Sequence, residues 1–411
     1  MEAIINTAEV LLAHTSETAS LAVAELLVRR CQNLKSSERL TFLYYLQSNM
    51  GPQRSLVDPA VEAYRSDRSD AALYRLVQAV EPRRQALFRA MNMATGGTWA
   101  VMSMRADVLD LLRDHPTLSP VEADLLHVLS SWFSRGFITM DKVDWHSPGA
   151  VLERLITYEA VHEIRGWADL RRRLEADRRC FGFFHPAIPD EPLIFIEVAL
   201  TAGIPNNIGD VIDAPFDSAS DVVPDTATFY SITNCQVGLR GIQLGNLLIK
   251  QVVHQLESEL PHVRTFATLS PVPGFARWLA KAGTGALSGD QKWVLDVLSR
   301  PGWHQDPTSV DSVGPILTEL CARYLVLAKV GGRPLDPVAR FHLRNGARLE
   351  RINWCGDLSP DGVRQSHGIM VNYLYDEHDL SANHETYVHS GAVVHSAGIG
   401  ALLSKRGGSS H

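Results

Sequence analysis

The chain has 411 residues, enough for two domains or more. Apolar residues make up 45 % and charged residues 21 %, an ordinary globular mix, and a net charge of −7 argues against a general nucleic-acid binder. No apolar run approaches the ~18 residues of a membrane span, and Met1-Glu2-Ala3-Ile4 opens without the basic start and apolar core of a signal segment.

Cys31, Cys180, Cys235, Cys321 and Cys355 are far apart, with no Cys-x-x-Cys or Cys/His grouping. A reduced, cytoplasmic protein without a zinc site is the expectation. The basic clusters Arg171-Arg172-Arg173 and Arg178-Arg179 are interrupted by acids and read as solvated helix faces.

The first ~135 residues read as all-helical. Helical apolar spacing runs over Leu21–Arg30, Arg39–Met50, Ala71–Val80 and Arg105–Asp114, and Gly51-Pro52, Glu81-Pro82, Gly96-Gly97 and His115-Pro116 break it. Ser119-Pro120-Val121-Glu122 predicts a helix start with Ser119 as the cap, and Val121, Leu125, Val128, Leu129 and Trp132 form one buried stripe. No catalytic constellation falls in this region.

Composition shifts near Ser134–Phe137. A helix after Ser147-Pro148 is expected to run through His162, with His162 as a hydrogen-bonded core residue. Strands are predicted at Cys180–Phe184 and Leu193–Leu200, and three prolines force a turn over His185–Pro192 between them. The second strand is apolar almost throughout, as in a sheet covered on both faces. Glu197 inside it needs a partner, and an ion pair is the expectation.

The central stretch runs from Phe229 to Lys250. Ala227–Ile232 is aromatic and β-branched and predicts a strand. Gly238, Gly241 and Gly245 then punctuate a turn, and from Ile242 the residues Leu244, Leu248, Val252, Leu256 and Leu260 predict a helix. A strand, a glycine turn and a helix N-terminus make an anion site, to which Arg240 adds charge. Such glycines serve packing equally well, and the spacing matches neither Gly-x-x-x-x-Gly-Lys nor Gly-x-Gly-x-x-Gly.

Thr265–Leu269 predicts another strand, stopped by Ser270-Pro271-Val272-Pro273-Gly274 before a helix over Phe275–Lys281. Ser270 stands at a strand's carboxyl end, where open α/β sheets bind ligands, although a serine there could equally cap the helix. Helices are predicted at Asp290–Leu298 and Ile316–Lys329, then a short one from Pro337 ended by Asn345-Gly346, where positive φ is cheap. Strands follow at Leu349–Trp354 and Gly368–Tyr375. The tail reads as one helix over Ser381–Lys405, with 406–411 disordered.

Two resemblances attach to these residues. The turn after the central strand resembles the Gln/Arg-x-x-Gly-x-Gly/Ala turn of the acetyltransferase superfamily, which holds the pyrophosphate of coenzyme A. Gln236 and Gly241 fit that pattern, and Leu239 stands where its first glycine would be. More specific is a longer set in order: Asn92–Thr98, Trp132–Phe137, Ile156–Ile164, Arg179–Ala199, Phe229-Tyr-Ser-Ile, Gln236-Val-Gly-Leu-Arg-Gly-Ile, Leu269-Ser-Pro-Val-Pro-Gly-Phe275 and Phe341-His-Leu-Arg-Asn-Gly-Ala347. Over roughly residues 80 to 400 the chain resembles malonyl-CoA decarboxylase.

The resemblance implies an α+β chain: an all-helical oligomerisation domain over 1–134, then an acetyltransferase-like (GNAT-like) α/β catalytic domain over 135–405. It implies malonyl-CoA going to acetyl-CoA and CO2 in a homo-oligomer, dimer or tetramer, with no metal, biotin or other cofactor and no nucleic-acid or membrane partner. The family's catalytic serine falls on Ser270 and its histidine on His342. Its malonyl-CoA turn falls on Arg240, Gly241, Ile242, Gln243, Leu244, Gly245 and Asn246. Gln236, Gly238, Leu239 and Asn345 join the binding candidates, and Ser231 on the central strand is the competing serine. Some members carry Glu where Gln243 stands, so no charged role is expected there. The chain ends in Gly-Ser-Ser-His and not the Ser-Lys-Leu peroxisomal address, so a bacterial-type cytoplasmic enzyme is expected.

Losing CO2 from a malonyl thioester leaves charge on the α-carbon and thioester oxygen, which needs aimed donors and then a proton. His342, near its neutral titration point, is the expected donor to carbon. Ser270 would orient the carboxylate or take its proton. No Gly-x-Ser-x-Gly elbow supports a hydrolase. A CoA-dependent acyltransferase and a non-catalytic CoA-binding scaffold are the alternatives.

Overall fold

The computed structural model describes residues 1–13, 17–215, 222–242, 248–282 and 292–404. The candidates Gln243, Leu244, Gly245 and Asn246 and the tail 406–411 lie outside the described residues. Two compact units result: Met1–Met140 with Phe183–Leu193 and Asn234–Leu244, and Asp141–Gly182 with Ile194–Thr233 and Gly245–His411.

The first unit is a helical assembly. Its helices span Glu2–Ala13, Glu17–Gln32, Ser36–Asn49, Arg54–Ser66, Asp70–Ala79, Arg83–Asn92, Gly97–Leu111 and Ser119–Trp132. Their apolar stripes meet in a core that includes Leu27, Phe42, Leu46, Leu87, Phe88, Met91, Val101 and Leu125. Arg84 and Asp124 are buried in that core as an ion pair. Ser119 is not the cap the sequence suggested. A 3-10 turn over Pro116–Leu118 precedes it, so Leu118 takes the cap position and Ser119 already lies inside the helix.

The second unit carries the sheet. Its strands in chain order are β1 (Thr139–Val143), β2 (Arg178–Phe184), β3 (Ile194–Thr201), β4 (Thr226–Asn234), β5 (Thr265–Thr268) and β6 (Ser270–Pro271). After these come β7 (Lys329–Val330), β8 (Arg333–Pro334), β9 (Arg348–Asn353) and β10 (Met370–Leu374). The spatial order is β1-β2-β3-β4-β5-β10-β6, with β9 also paired to β10, while β7 and β8 form a separate hairpin. β4 and β5 run parallel, from Thr226 opposite Thr265 to Phe229 opposite Thr268. β10 is antiparallel to β5, β6 and β9. A helical N-terminal region followed by a mixed α/β region is the α+β architecture expected from the sequence. Among the described residues no helix is long and apolar enough to cross a membrane.

Several local expectations are corrected. Arg178 and Arg179 lie on β2, and Arg173 and Arg178 are buried, so these clusters are not solvated helix faces. Arg173 pairs with Glu197 at 3.1 Å, the ion pair expected of that strand carboxylate. Burial pushes the Glu197 carboxyl up while the Arg173 charge pulls it down. The helix after Pro148 ends at Tyr158, which leaves His162 beyond it with a buried Nε2 that has no partner among the described residues. The tail holds two helices, Leu380–Ser390 and Ala397–Ser404, because Gly391 at φ +64° closes the first.

The Asn345-Gly346 stop is as expected: the helix Pro337–Arg344 has Asn345 at its C-cap, and Gly346 follows at φ +87°. A Cβ on Gly346 would lie 2.2 Å from the Leu380 carbonyl oxygen. Gly346→Ala therefore combines a left-handed backbone with a backbone clash, and should cost at least about 2 kcal/mol in chemical denaturation. An unchanged denaturation midpoint would refute this.

Candidate active site

Ser270 and His342 come together in the second unit. Ser270 occupies β6, opposite Val371 of β10, and is 5 % exposed. It does not cap the following helix: its hydroxyl donates to Thr268 Oγ1 at 2.8 Å. Two residues apart on an extended chain, Thr268 and Ser270 project to the same side. His342, 3 % exposed, lies near the end of the helix Pro337–Arg344. Its Nε2 is 3.1 Å from Ser270 Oγ.

The ladder is interrupted beside this pair. In its pairing with β9 the register of β10 shifts between Asn372 and Tyr373, and on the other edge the strand partner is broken at Leu269 between β5 and β6. Tyr373 N–H donates to the Thr268 side-chain oxygen at 3.1 Å, and Asn372 Nδ2 donates to the Thr268 carbonyl at 2.7 Å. Side chains thus satisfy backbone groups at the break between β5 and β6 that a regular ladder would pair.

The imidazole is held on three sides. Its Nδ1 lies 2.8 Å from Tyr375 Oη. The Tyr373 ring stacks on it, with centroids 4.6 Å apart. Burial raises the Tyr375 phenol well above its ordinary value, so it stays an O–H. Burial also pulls His342 down to about 3, so the ring is neutral over the physiological range. That corrects the expectation of a histidine near its neutral titration point: the side chain is buried from solvent, and among the described residues no adjacent carboxylate stabilises its cation. A neutral imidazole has one donor and one acceptor. With the serine proton on Thr268, Nδ1 accepts from Tyr375 and Nε2–H donates to Ser270. The proton-bearing nitrogen therefore faces the serine.

Asn345 stands three residues beyond His342 and is 4 % exposed. Its Nδ2 donates to the Phe341 carbonyl at 2.8 Å, while its Oδ1 has no partner among the described residues. A buried acceptor without a donor costs free energy that a ligand N–H or O–H could recover.

Ser231 is engaged elsewhere. Its hydroxyl donates to the Glu159 carboxylate at 2.8 Å, and Thr233 donates to the same carboxylate at 3.1 Å. The N–H groups of Val161 and His162 complete that cluster, each at 2.7 Å.

The glycine turn lies in the first unit and is described there. Gln236 Nε2 donates to the Pro192 carbonyl at 3.0 Å. Gly238 has a packing reason: a Cβ would lie 2.1 Å from the Met102 carbonyl oxygen, and its own carbonyl accepts from Arg105 at 2.7 Å. Leu239 is buried and Ile242 half-buried, while Arg240 and Gly241 are exposed. Gly241 adopts φ +82° with open space where a Cβ would stand. Arg240 and Gly241 are thus the described part of the turn open to a ligand.

Thr268, Asn372, Tyr373 and Tyr375 were missed by sequence reasoning. Thr268 was reachable, since it alternates with Ser270. The other three depend on how β10 is paired, which no local pattern encodes.

Residues 136–410 match the family described as "Malonyl-CoA decarboxylase C-terminal domain", and residues 50–133 match "Malonyl-CoA decarboxylase N-terminal domain". A solved malonyl-CoA decarboxylase from Rhodopseudomonas palustris is 45 % identical, with a TM-score of 0.92 over 97 % of this chain and 98 % of that one. One from Agrobacterium vitis is 46 % identical, with a TM-score of 0.92 over 97 % and 99 %. The mitochondrial malonyl-CoA decarboxylase of Anser anser anser is 37 % identical over 366 residues, 80 % of this chain and 71 % of the relative. The chain therefore belongs to the malonyl-CoA decarboxylase family of carboxy-lyases.

Proposed function

We propose that Ser270 and His342 carry the conversion of malonyl-CoA to acetyl-CoA and CO2. The observation behind this reading is the 3.1 Å approach of Ser270 Oγ to His342 Nε2. When the C–C bond breaks, its electron pair passes to the α-carbon and thioester oxygen and CO2 leaves. One proton must then reach the α-carbon. In the ground state His342 is neutral and a poor acid. A bound malonyl carboxylate beside it supplies the negative charge that raises its affinity for a proton. The ring takes up that one proton from solvent, the imidazolium passes it to carbon through Nε2, and the ring returns to its neutral form. Ser270 orients the carboxylate, Tyr375 holds the ring through Nδ1, and the Asn345 Oδ1 accepts a donor from the substrate.

The turn through Arg240, Gly241 and Ile242, continued in sequence by Gln243, Leu244, Gly245 and Asn246, is assigned to the CoA phosphates. The exposed guanidinium and the open face of Gly241 support this. Residues 1–134 are assigned to self-association in a homo-oligomer, and 135–405 to an acetyltransferase-like catalytic domain. The change of family match between 133 and 136 supports that boundary. No disulfide joins any of the five cysteines, all of them among the described residues, which fits a reducing cytoplasm.

His342→Asn and Ser270→Ala should each lower turnover by about 10²–10⁴-fold, with CoA affinity by calorimetry nearly unchanged. Wild-type turnover in either variant refutes the assignment. Labelled malonyl-CoA should release CO2 with no acyl acceptor present, which an acyltransferase would not do. Arg240→Ala should weaken CoA binding by roughly 3–10-fold, as expected for one screened surface charge, and leave kcat within a factor of two or so. An unaltered Kd would remove the turn from the CoA site.

The burial of His342 also predicts a pH dependence of stability. In the unfolded chain the ring gains its proton near 6.5, and in the folded chain only near 3. Between those values the unfolded state binds more protons, so wild-type stability falls as the pH falls. His342→Asn lacks that contribution. Denaturation series should show wild type losing stability relative to the variant from pH 6.5 downward. Parallel curves would contradict the depressed value.

A further inference from the structure

Beyond the reacting pair lies a contact between the two segments that supply it. Ser270 begins the loop Ser270-Pro271-Val272-Pro273-Gly274, which leads into the helix Phe275–Ala282. His342 rides on a different helix, Pro337–Arg344, whose N-cap is Asp336. Asp336 is fully buried, with 0 % of its surface exposed. One of its carboxylate oxygens accepts the Ala339 N–H at 2.8 Å, which caps that helix. The other accepts the Tyr324 hydroxyl at 3.3 Å.

Tyr324 comes from the helix Pro307–Val326 and is 1 % exposed. Its ring packs on Phe275 and Trp278, with centroids 5.8 and 5.3 Å away. Its hydroxyl lies directly over Gly274. A Cβ there would be 2.2 Å from the Tyr324 oxygen and 3.8 Å from the Asp336 carboxylate. Gly274 has no positive φ, so glycine is not required there for backbone reasons. The room it leaves is filled by the phenol oxygen.

We propose that Asp336 and Tyr324 are positioning residues, a strut that sets the Ser270 loop against the helix of His342 through the bare Cα of Gly274. The proposal rests on reading Ser270 and His342 as the reacting pair. Among the described residues no cation bonds Asp336, and a buried carboxylate held that way is costly to keep in a core. Here it gives the Ser270 loop and the His342 helix a second tie, away from the Ser270–His342 contact. One end fixes where the His342 helix begins, about two turns from the imidazole. The other end fixes the loop four residues after the serine. Loss of either end lets the 3.1 Å approach relax while both side chains remain present.

The test uses the full-length enzyme and reads kcat and KM per folded molecule, with folded fraction checked by circular dichroism and melting. Tyr324→Phe keeps the ring packing and removes the hydroxyl. Asp336→Ala removes the cap and the acceptor. Each should lower kcat by about 10-fold or more, in keeping with the cost of sub-ångström to ångström misplacement, with KM within a factor of about three. Asp336→Asn keeps an oxygen for the Ala339 N–H and an amide for the phenol, and should recover most of the lost turnover. Gly274→Ala should impair turnover more than the Gly274→Ala/Tyr324→Phe double variant, because removal of the phenol oxygen clears the added methyl.

Wild-type kcat in Tyr324→Phe and Asp336→Ala overturns the strut. So does a Gly274→Ala variant no worse than the double variant. Should Asp336→Ala fail to fold, Tyr324→Phe and the Gly274 pair decide alone. His342→Asn is assayed alongside. If it is inactive while the strut variants keep full turnover, only the strut fails. If it keeps turnover, the reading of the reacting pair fails.

Discussion

The site depends on one contact between side chains 72 residues apart, the 3.1 Å approach of Ser270 Oγ to His342 Nε2. Neither residue is remarkable in its own element. The serine follows a four-residue strand, and the histidine sits near the end of a short helix. Their meeting requires β10, which follows both in sequence, to lie beside them in space, pairing β6 on one side and β9 on the other. The cost is a broken ladder, made good by the side chains of Thr268 and Asn372.

Electrostatics around the pair follow from enclosure. Histidine exposed to water would titrate within the physiological range, but this ring is sealed by Tyr373 and Tyr375 and is kept neutral. Hydroxyls on both ring nitrogens satisfy a neutral imidazole fully. A carboxylate partner of the kind found in hydrolytic triads would have favoured the cation instead.

What was legible in the sequence divides along physical lines. The helical start, the central strands and the Asn345-Gly346 stop were readable because periodicity and glycine chemistry are local. The Glu197 ion pair was also readable, because a carboxylate inside an apolar run has few options. The failures have equally local causes. Ser119 looked like a cap because nothing in its neighbours announces the 3-10 turn of Pro116–Leu118. Arg178 and Arg179 looked solvated because arginines usually are, whereas here they open β2. Pairing was the larger blind spot. Asn372, Tyr373 and Tyr375 reach the site only through the register of β10, which depends on strands far away in the chain. Ser270 and His342 entered as candidates through resemblance to a family rather than through pattern.

The enclosure of His342 has a further consequence for the direction of events at the site. A ring with no resting charge has little to offer an acyl group that is itself uncharged. On the proposed assignment the malonyl thioester brings an anion and is met by a proton, whereas the acetyl thioester brings none and meets a neutral ring. Substrate and product, nearly identical in bulk, would then be told apart by whether their arrival makes protonation of a sealed side chain worthwhile, and departure of the product would need no attraction to be broken.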